Sequence, residues 1–316
     1  MSRYENLSVG NLEVDRIVNS GRYRRTIYLD PTNGSDGNDG LAYDRAKATG
    51  PGCFGAQLAQ TNKNDAILYI PGTTSLSLAS ELGWSYNMVH CVGLAPEAMM
   101  NQRSRIGMST TFTPFITVSG YGNEFRNLYT MHGTAVGDYV GWLISGNRNA
   151  FHNVHFGGPM EAAQGGHASY VGVDITGTEC YFNHCTFGTD TIGRDEVTPN
   201  VRLGPGTLTV FEDCTFLLNL TDGDPLFVKV LNTSGYTWAN FKRCSFMAFN
   251  SNYAVAQTVA FKFTGGDSCA MVFDNQCTFQ NVAALADAAE DQYIWLPRTF
   301  STTTDTEAMR SVLLTI

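Results

Sequence analysis

A six-residue unit, Phe182-Asn183-His184-Cys185-Thr186-Phe187, constrains what this chain can fold into, because the chain keeps repeating it. Copies stand at Phe211 to Phe216 and Phe241 to Phe246, and a copy with one residue inserted runs from Phe273 to Phe279. The copy from Phe151 to Phe156 carries Val154 in place of the cysteine, and Phe125 to Tyr129 is a degenerate one. The leading phenylalanines are 26, 31, 29, 30 and 32 residues apart. A period of this length, built from short β-type segments without helical periodicity, marks a solenoid whose neighbouring turns bury one another.

Side chains alternate across a strand, which assigns the faces of the unit. The leading phenylalanine, the cysteine and the last phenylalanine point inward, and a polar bend lies just before the cysteine, at Asn153, His184, Asp213, Arg243 and Gln276. Turns stack about 4.8 Å apart, so phenylalanine is predicted to lie on phenylalanine and cysteine on cysteine. An aliphatic strand is expected before each unit: Trp142–Ile144, Val171–Ile175, Leu208–Val210, Phe227–Val230 and Phe261–Phe263, with Tyr293–Leu296 closing the series. Ala66–Ile70, Met88–Val92 and Phe115–Val118 read as strands of the earlier turns. Charged residues make up only 16% of the chain, and its 32 glycines and 19 phenylalanines suit tightly turned strands, so the fold class is all-β.

The eight cysteines include no CxxC pair, and four of them hold the same place in successive repeats. That pattern reads as buried packing thiols rather than disulfides or metal ligands. Reduced cysteines fit an intracellular site of synthesis.

From Tyr28 the chain reads Y-x-D-P-x-N-G-S-D-x-N-D-G-L, followed by A-x-A-T at Ala46 to Thr49. This opening resembles that of right-handed parallel β-helix proteins of the pectate-lyase-like group, among them phage tailspikes and other virion proteins. The resemblance implies a right-handed single-stranded parallel β-helix over residues 26–296, capped at its start by a short helix. Gly50-Pro51-Gly52 shifts that helix to about Cys53 to Gln60. In the loop itself Asp30, Asp36 and Asp39 have two readings: carboxylates that bond to their own turns, or oxygen ligands for Ca²⁺, although their spacing is not that of an EF-hand.

Chemistry is expected in the long loops, Gly157 to Ser169 with Glu161 and His167, Gly188 to Asn200, and Leu220 to Pro225. Glycoside hydrolysis needs two carboxyl groups about 5 to 9.5 Å apart, and neighbouring turns can bring Asp190, Asp195 or Glu196 toward Asp222 or Asp224. These are also ordinary loop residues. No cofactor motif is present, and a binding role for Tyr121, Tyr139, Tyr170 or Tyr253 competes with plain packing.

Residues 1–25 are expected to form an extended arm in which Leu7, Val9, Leu12, Val14 and Ile17 nearly alternate, an apolar face to be covered by a partner or by the start of the solenoid. Residues 297–316 drop the repeat and read as a cap or a subunit contact. A net charge of -9 and a pI near 5.1 argue against nucleic acid and anionic membranes as partners. Neither a signal peptide nor a run of about 18 apolar residues is visible. The expectation is a non-enzymatic bacteriophage protein made in the host cytoplasm, a capsid decoration, cement protein or spike. The resemblance implies a homotrimer. Its arm would hold other virion proteins such as the major capsid protein. A tailspike-like depolymerase, either glycoside hydrolase or polysaccharide lyase, and a receptor for host surface polysaccharide are the competing readings.

Overall fold

The computed structural model of the protein describes residues 22–54, 58–98, 100, 104–133, 137, 139–194, 196–221, 224–250, 256–265, 268–287 and 293–296. Within them the chain winds as a parallel β-helix. Seven strands, Leu82–Trp84, Ile116–Val118, Val140–Ile144, Val171–Ile175, Pro199–Leu203, Leu226–Asn232 and Phe261–Gly265, stack as one parallel sheet. The repeated unit builds the second sheet. Its first halves align through paired rungs, so that Ile27, Ile67, Cys91, Phe125, Phe151, Phe182, Phe211, Phe241 and Phe273 form one continuous inward column.

The predicted ladders are present. Phe151 stacks on Phe182 at 4.7 Å, Phe182 on Phe211 at 5.0 Å, Phe211 on Phe241 at 4.9 Å and Phe241 on Phe273 at 4.8 Å. The closing phenylalanines do the same, from Phe156 on Phe187 at 5.0 Å to Phe246 on Phe279 at 4.9 Å. Within a turn the two columns meet edge to face, as for Phe211 and Phe216, which satisfies the ring quadrupoles both along and across the rod. All eight cysteines are buried free thiols. Cys185, Cys214, Cys244 and Cys277 donate to the carbonyls of Phe151, Phe182, Phe211 and Phe241, the leading residues one turn earlier. The cysteine is therefore both core filler and donor to the preceding turn. Burial raises two other core thiols: Cys91 is pushed up to about 12 and Cys180 to about 11.

The bend lies where the polar residues stand. Asn127, Asn153, His184, Asp213 and Arg243 have φ of 54°, 49°, 53°, 54° and 51°, one left-handed residue per turn. Gln276 does not follow. The inserted residue lets the Asp274 carboxylate accept from the Gln276 amide at 3.0 Å, a local turn that replaces the left-handed bend.

Four other expectations need correction. Leu208–Glu212 is the first half of a repeated unit, and the aliphatic strand of that turn is Pro199–Leu203, which buries Val201 and Leu203. Ile294–Trp295 pairs with Met271 and Val272 in the aromatic sheet, not the aliphatic one. The expected helix from Cys53 to Gln60 is a 3-10 turn, Pro51–Cys53, followed by a bridge from Phe54 to Ala59, because Pro51 and Gly52 favour a tight turn at this point. The long loops are partly structured: Ala150–Pro159 runs into the first, which also holds the short helix Ala162–Gly165.

The chain enters the rod as a strap across its outer face. Tyr23 packs over the outward residues Ala66, Leu68 and Val92, while Arg22 reaches Glu124 at 2.7 Å and Arg24 holds Asp65 with two bonds of 2.9 and 2.7 Å. Arg25 donates to the Leu58 carbonyl. All three arginines are thus bound to the rod. The attachment residues Leu7, Val9, Leu12, Val14 and Ile17, and the segment 297–316, lie outside the described residues. Among the described residues no helix is long and apolar enough to cross a membrane.

Candidate functional site

Stacking puts equivalent outward residues in rows, and one such row floors a groove. Arg126 stands opposite His152, and His152 opposite Asn183. With the bend residues Asn153, His184 and Asp213, with Thr186 and Thr215, and with Glu97 from the loop after Val89–Gly93, they line a groove of about 590 Å³. That loop is fixed from below, since the Asn127 amide donates to the carbonyls of Gly93 and Ala95 at 3.0 and 2.5 Å.

The charges of the groove are bound to one another. Arg126 pairs with Glu124 at 3.1 Å and with Glu97 at 3.9 Å. Glu124 also accepts from Tyr23 at 3.0 Å. Burial pushes Glu124 up, but Arg126, Arg22 and the bonds from Tyr23 and Arg126 outweigh it and hold the carboxyl below its usual range. Burial, then the charge of Arg126, holds His152 below the usual imidazole value. At the far end Arg243 bonds to Asp213 at 2.7 and 2.8 Å and to Glu212 at 2.6 Å. The bond from Arg243 holds Asp213 below its usual range, and the bonds from Tyr181 and Arg243 do so for Glu212. His184 stands 4.0 Å from Asp213 and 2.9 Å from the Asn183 side chain. The rung of Arg126, to which Glu97 is paired, and the rung of Asp213 are three apart, about 14 Å. Hydrolytic carboxyl pairs stand about 5 to 9.5 Å apart.

The residues expected from sequence lie elsewhere. Asp190 is exposed and close enough for its charge to act on Tyr129 and His155. Glu196 and Asp224 are exposed loop residues, and Asp195 and Asp222 lie outside the described residues. Between Asp190 and Glu196 the loop turns inward: Arg194 is buried, bonds to Asn200 and to the carbonyl and hydroxyl of Thr198, and lies 4.7 Å over the Tyr170 ring.

Asp30 accepts from the Thr32 and Asn33 amides, and Asp36 from the Ala48 and Thr49 amides and the Thr49 hydroxyl. Asp39 accepts from the Leu41 amide. Asp30 and Asp39 close their own turns and Asp36 ties the loop to Ala48 and Thr49, and among the described residues no group of three His, Cys, Asp or Glu side chains is placed to hold a metal ion. Of the tyrosines, Tyr121 is exposed and bonded to Asn62, Tyr139 stacks on His167 at 4.0 Å, and Tyr253 lies outside the described residues. Tyr170 is buried rather than exposed, since the inward turn of Arg194 covers it.

No protein-family model matches the chain, and no curated protein matches it in sequence. Solved structures do. Pectate lyase Pel9A is similar at a TM-score of 0.52 and 15% identity over 83% of this chain, which spans 64% of the length of that enzyme. The pectin methylesterase from Aspergillus niger gives a TM-score of 0.52 and 11% identity over 86% of this chain and 84% of that one. Pectin methylesterase PemA from Erwinia chrysanthemi gives 0.50 and 9% over 84% and 80%. At such identities the likeness is one of fold, the parallel β-helix.

Proposed function

We propose that the protein is a non-enzymatic structural component of a bacteriophage particle, a trimeric β-helical decoration, cement or spike subunit joined to its partners through residues 1–25. The observation that carries the non-catalytic part is the pairing of the carboxylates in and beside the groove: Glu97 and Asp213, which line it, and Glu124 and Glu212 next to it are each engaged by Arg126 or Arg243. A general acid for glycoside cleavage needs a raised pKa, whereas Glu124, Glu212 and Asp213 are lowered. The apolar alternation of the arm supports attachment, and the opening motif at Tyr28 supports the kinship with virion β-helices.

A second reading, a polysaccharide-binding or polysaccharide-cleaving protein, is favoured by the groove crossing several turns and by solved neighbours that are by name a pectate lyase and pectin methylesterases. Purified protein incubated with host capsule or O-antigen separates the two. The expected result is no new reducing ends, together with binding to phage particles that deletion of residues 1–21, which spares the strap at Arg22 to Arg25, abolishes. Release of reducing ends that is lost in Asp213→Asn or Asp222→Asn would overturn the proposal.

A further inference from the structure

The outward side of the aromatic sheet changes character along the rod. In the first turns Ala66, Leu68 and Val92 are apolar and lie under Tyr23. In the middle turns the outward residues are the paired charges Glu124 and Arg126. In the last turns two of the outward columns are mostly apolar, with Asn240 the polar exception. Leu208 stands opposite Trp238 and Trp238 opposite Ala270, while Val210 is followed by Asn240, Val272 and Trp295. Here nothing among the described residues takes the place of Tyr23: Leu208 is 38% exposed, Trp238 42% and Trp295 63%.

A contiguous apolar face on a β-rod marks an interaction surface. Its charge pattern fits a second copy of this chain. The chain carries -9, so two copies repel in most orientations. Around a rotation axis running along the rod each residue approaches its own copy, and a charged column there would set like charges against one another. The two columns that begin at Leu208 and Val210 contain no ionisable side chain, and Glu212 and Lys242 lie beside them, at what would be the rim. Tryptophan side chains also supply much of the binding energy at the centres of protein interfaces.

We propose that the face formed by Leu208, Val210, Trp238, Val272 and Trp295 is the surface on which copies of this chain pack against one another. The inference rests on the self-association in the proposed function and not on its phage particle. The full chain and its Trp238→Asp and Leu208→Asp variants are compared by native mass in light scattering. The expected result is an oligomer for the parent and a monomer for either variant, with the β-type circular dichroism and melting temperature of the monomer retained.

Tryptophan quenching by acrylamide gives a readout on the unaltered protein. Trp84 and Trp142 are buried, so the quenchable signal reports Trp238 and Trp295, and it is expected to rise on dilution to monomer. A monomeric parent, or a folded Trp238→Asp variant of unchanged mass, overturns the proposal. So does deletion of residues 297–316 that exposes these tryptophans without changing the mass, because the chain's own end would then be the occupant. An oligomer that passes these tests but fails to bind phage particles would sink the proposed function and leave this surface standing.

Discussion

His184 and Arg243 hold the same left-handed backbone as Asn127, Asn153 and Asp213, in a region that favours Asn, Asp and His over Arg. Their neighbours on the stack compensate. Asp213 stands between them, 4.0 Å from His184 and bonded twice to Arg243. Two other histidines carry a consequence for stability. Burial, then the charge of Arg194, pulls His132 down to about 3, and burial pulls His155 down to about 4 although its ring bonds to the Gly188 carbonyl. Above the ordinary value of 6.5 both rings are neutral folded and unfolded, so they add no pH dependence. Below it the unfolded chain takes up protons that the fold refuses, and each histidine costs about 1.4 kcal/mol per pH unit until its own folded value is reached. From about pH 6.5 to 5.5 carboxylates are largely ionised in both states, which leaves the buried histidines to set the slope. The urea midpoint is expected to fall across this window, and to fall less steeply in His155→Gln. A midpoint that stays level would show that these rings are not held neutral.

The aromatic strands were legible in the sequence because every turn makes the same demand: two inward rings, one thiol that bonds to the turn before, and one residue that accepts a bend. The insertion before Gln276 and the strand Pro199–Leu203 were not. The first changes the turn type, and the second offers only Val201 and Leu203 as inward anchors beside the more apolar Leu208–Val210. The groove was legible only in part. Asp213 lies at a bend the repeat predicts, but outward residues differ from turn to turn and leave no period, and Glu97 comes from a loop outside the repeat. Outward columns still have physics of their own. On the aliphatic sheet Arg202 stands opposite Lys229, and Lys229 opposite Lys262. Arg202 is taken by Asp174 through bonds of 2.9 and 2.5 Å, and burial followed by the charges of Lys262 and Arg202 holds Lys229 below its usual range. Like charges on facing rungs cost roughly 0.2 to 1 kcal/mol. Lys229→Glu is therefore expected to raise the melting temperature in low salt, by an increment that shrinks as salt is added. A lower melting temperature, or a gain that ignores salt, would place the repulsion elsewhere.

A rod in which each turn touches only its neighbours holds its stability as a series of local contacts, and the strap at its start gives a way to test that. Arg24 supplies two of the bonds to Asp65, whose side chain is inaccessible to solvent, and the Gln60 amide supplies a third at 2.9 Å. Arg24→Ala leaves a buried carboxylate short of its cation. A fully buried pair broken in this way costs about 3 to 5 kcal/mol, and the partial exposure of Arg24 lowers this to about 2 kcal/mol. If the turns are coupled only through their neighbours, the loss stays at the beginning of the rod. Hydrogen exchange in Arg24→Ala should then quicken roughly 30-fold in Arg25–Leu29 and Asp65–Tyr69. A smaller change is expected in Val89–Gly93, and none in Leu226–Asn232 or Phe261–Gly265. Equal acceleration along all five strands would mean that the phenylalanine columns bind the rod into one cooperative unit, and that the strap stabilises the far turns as much as those it touches.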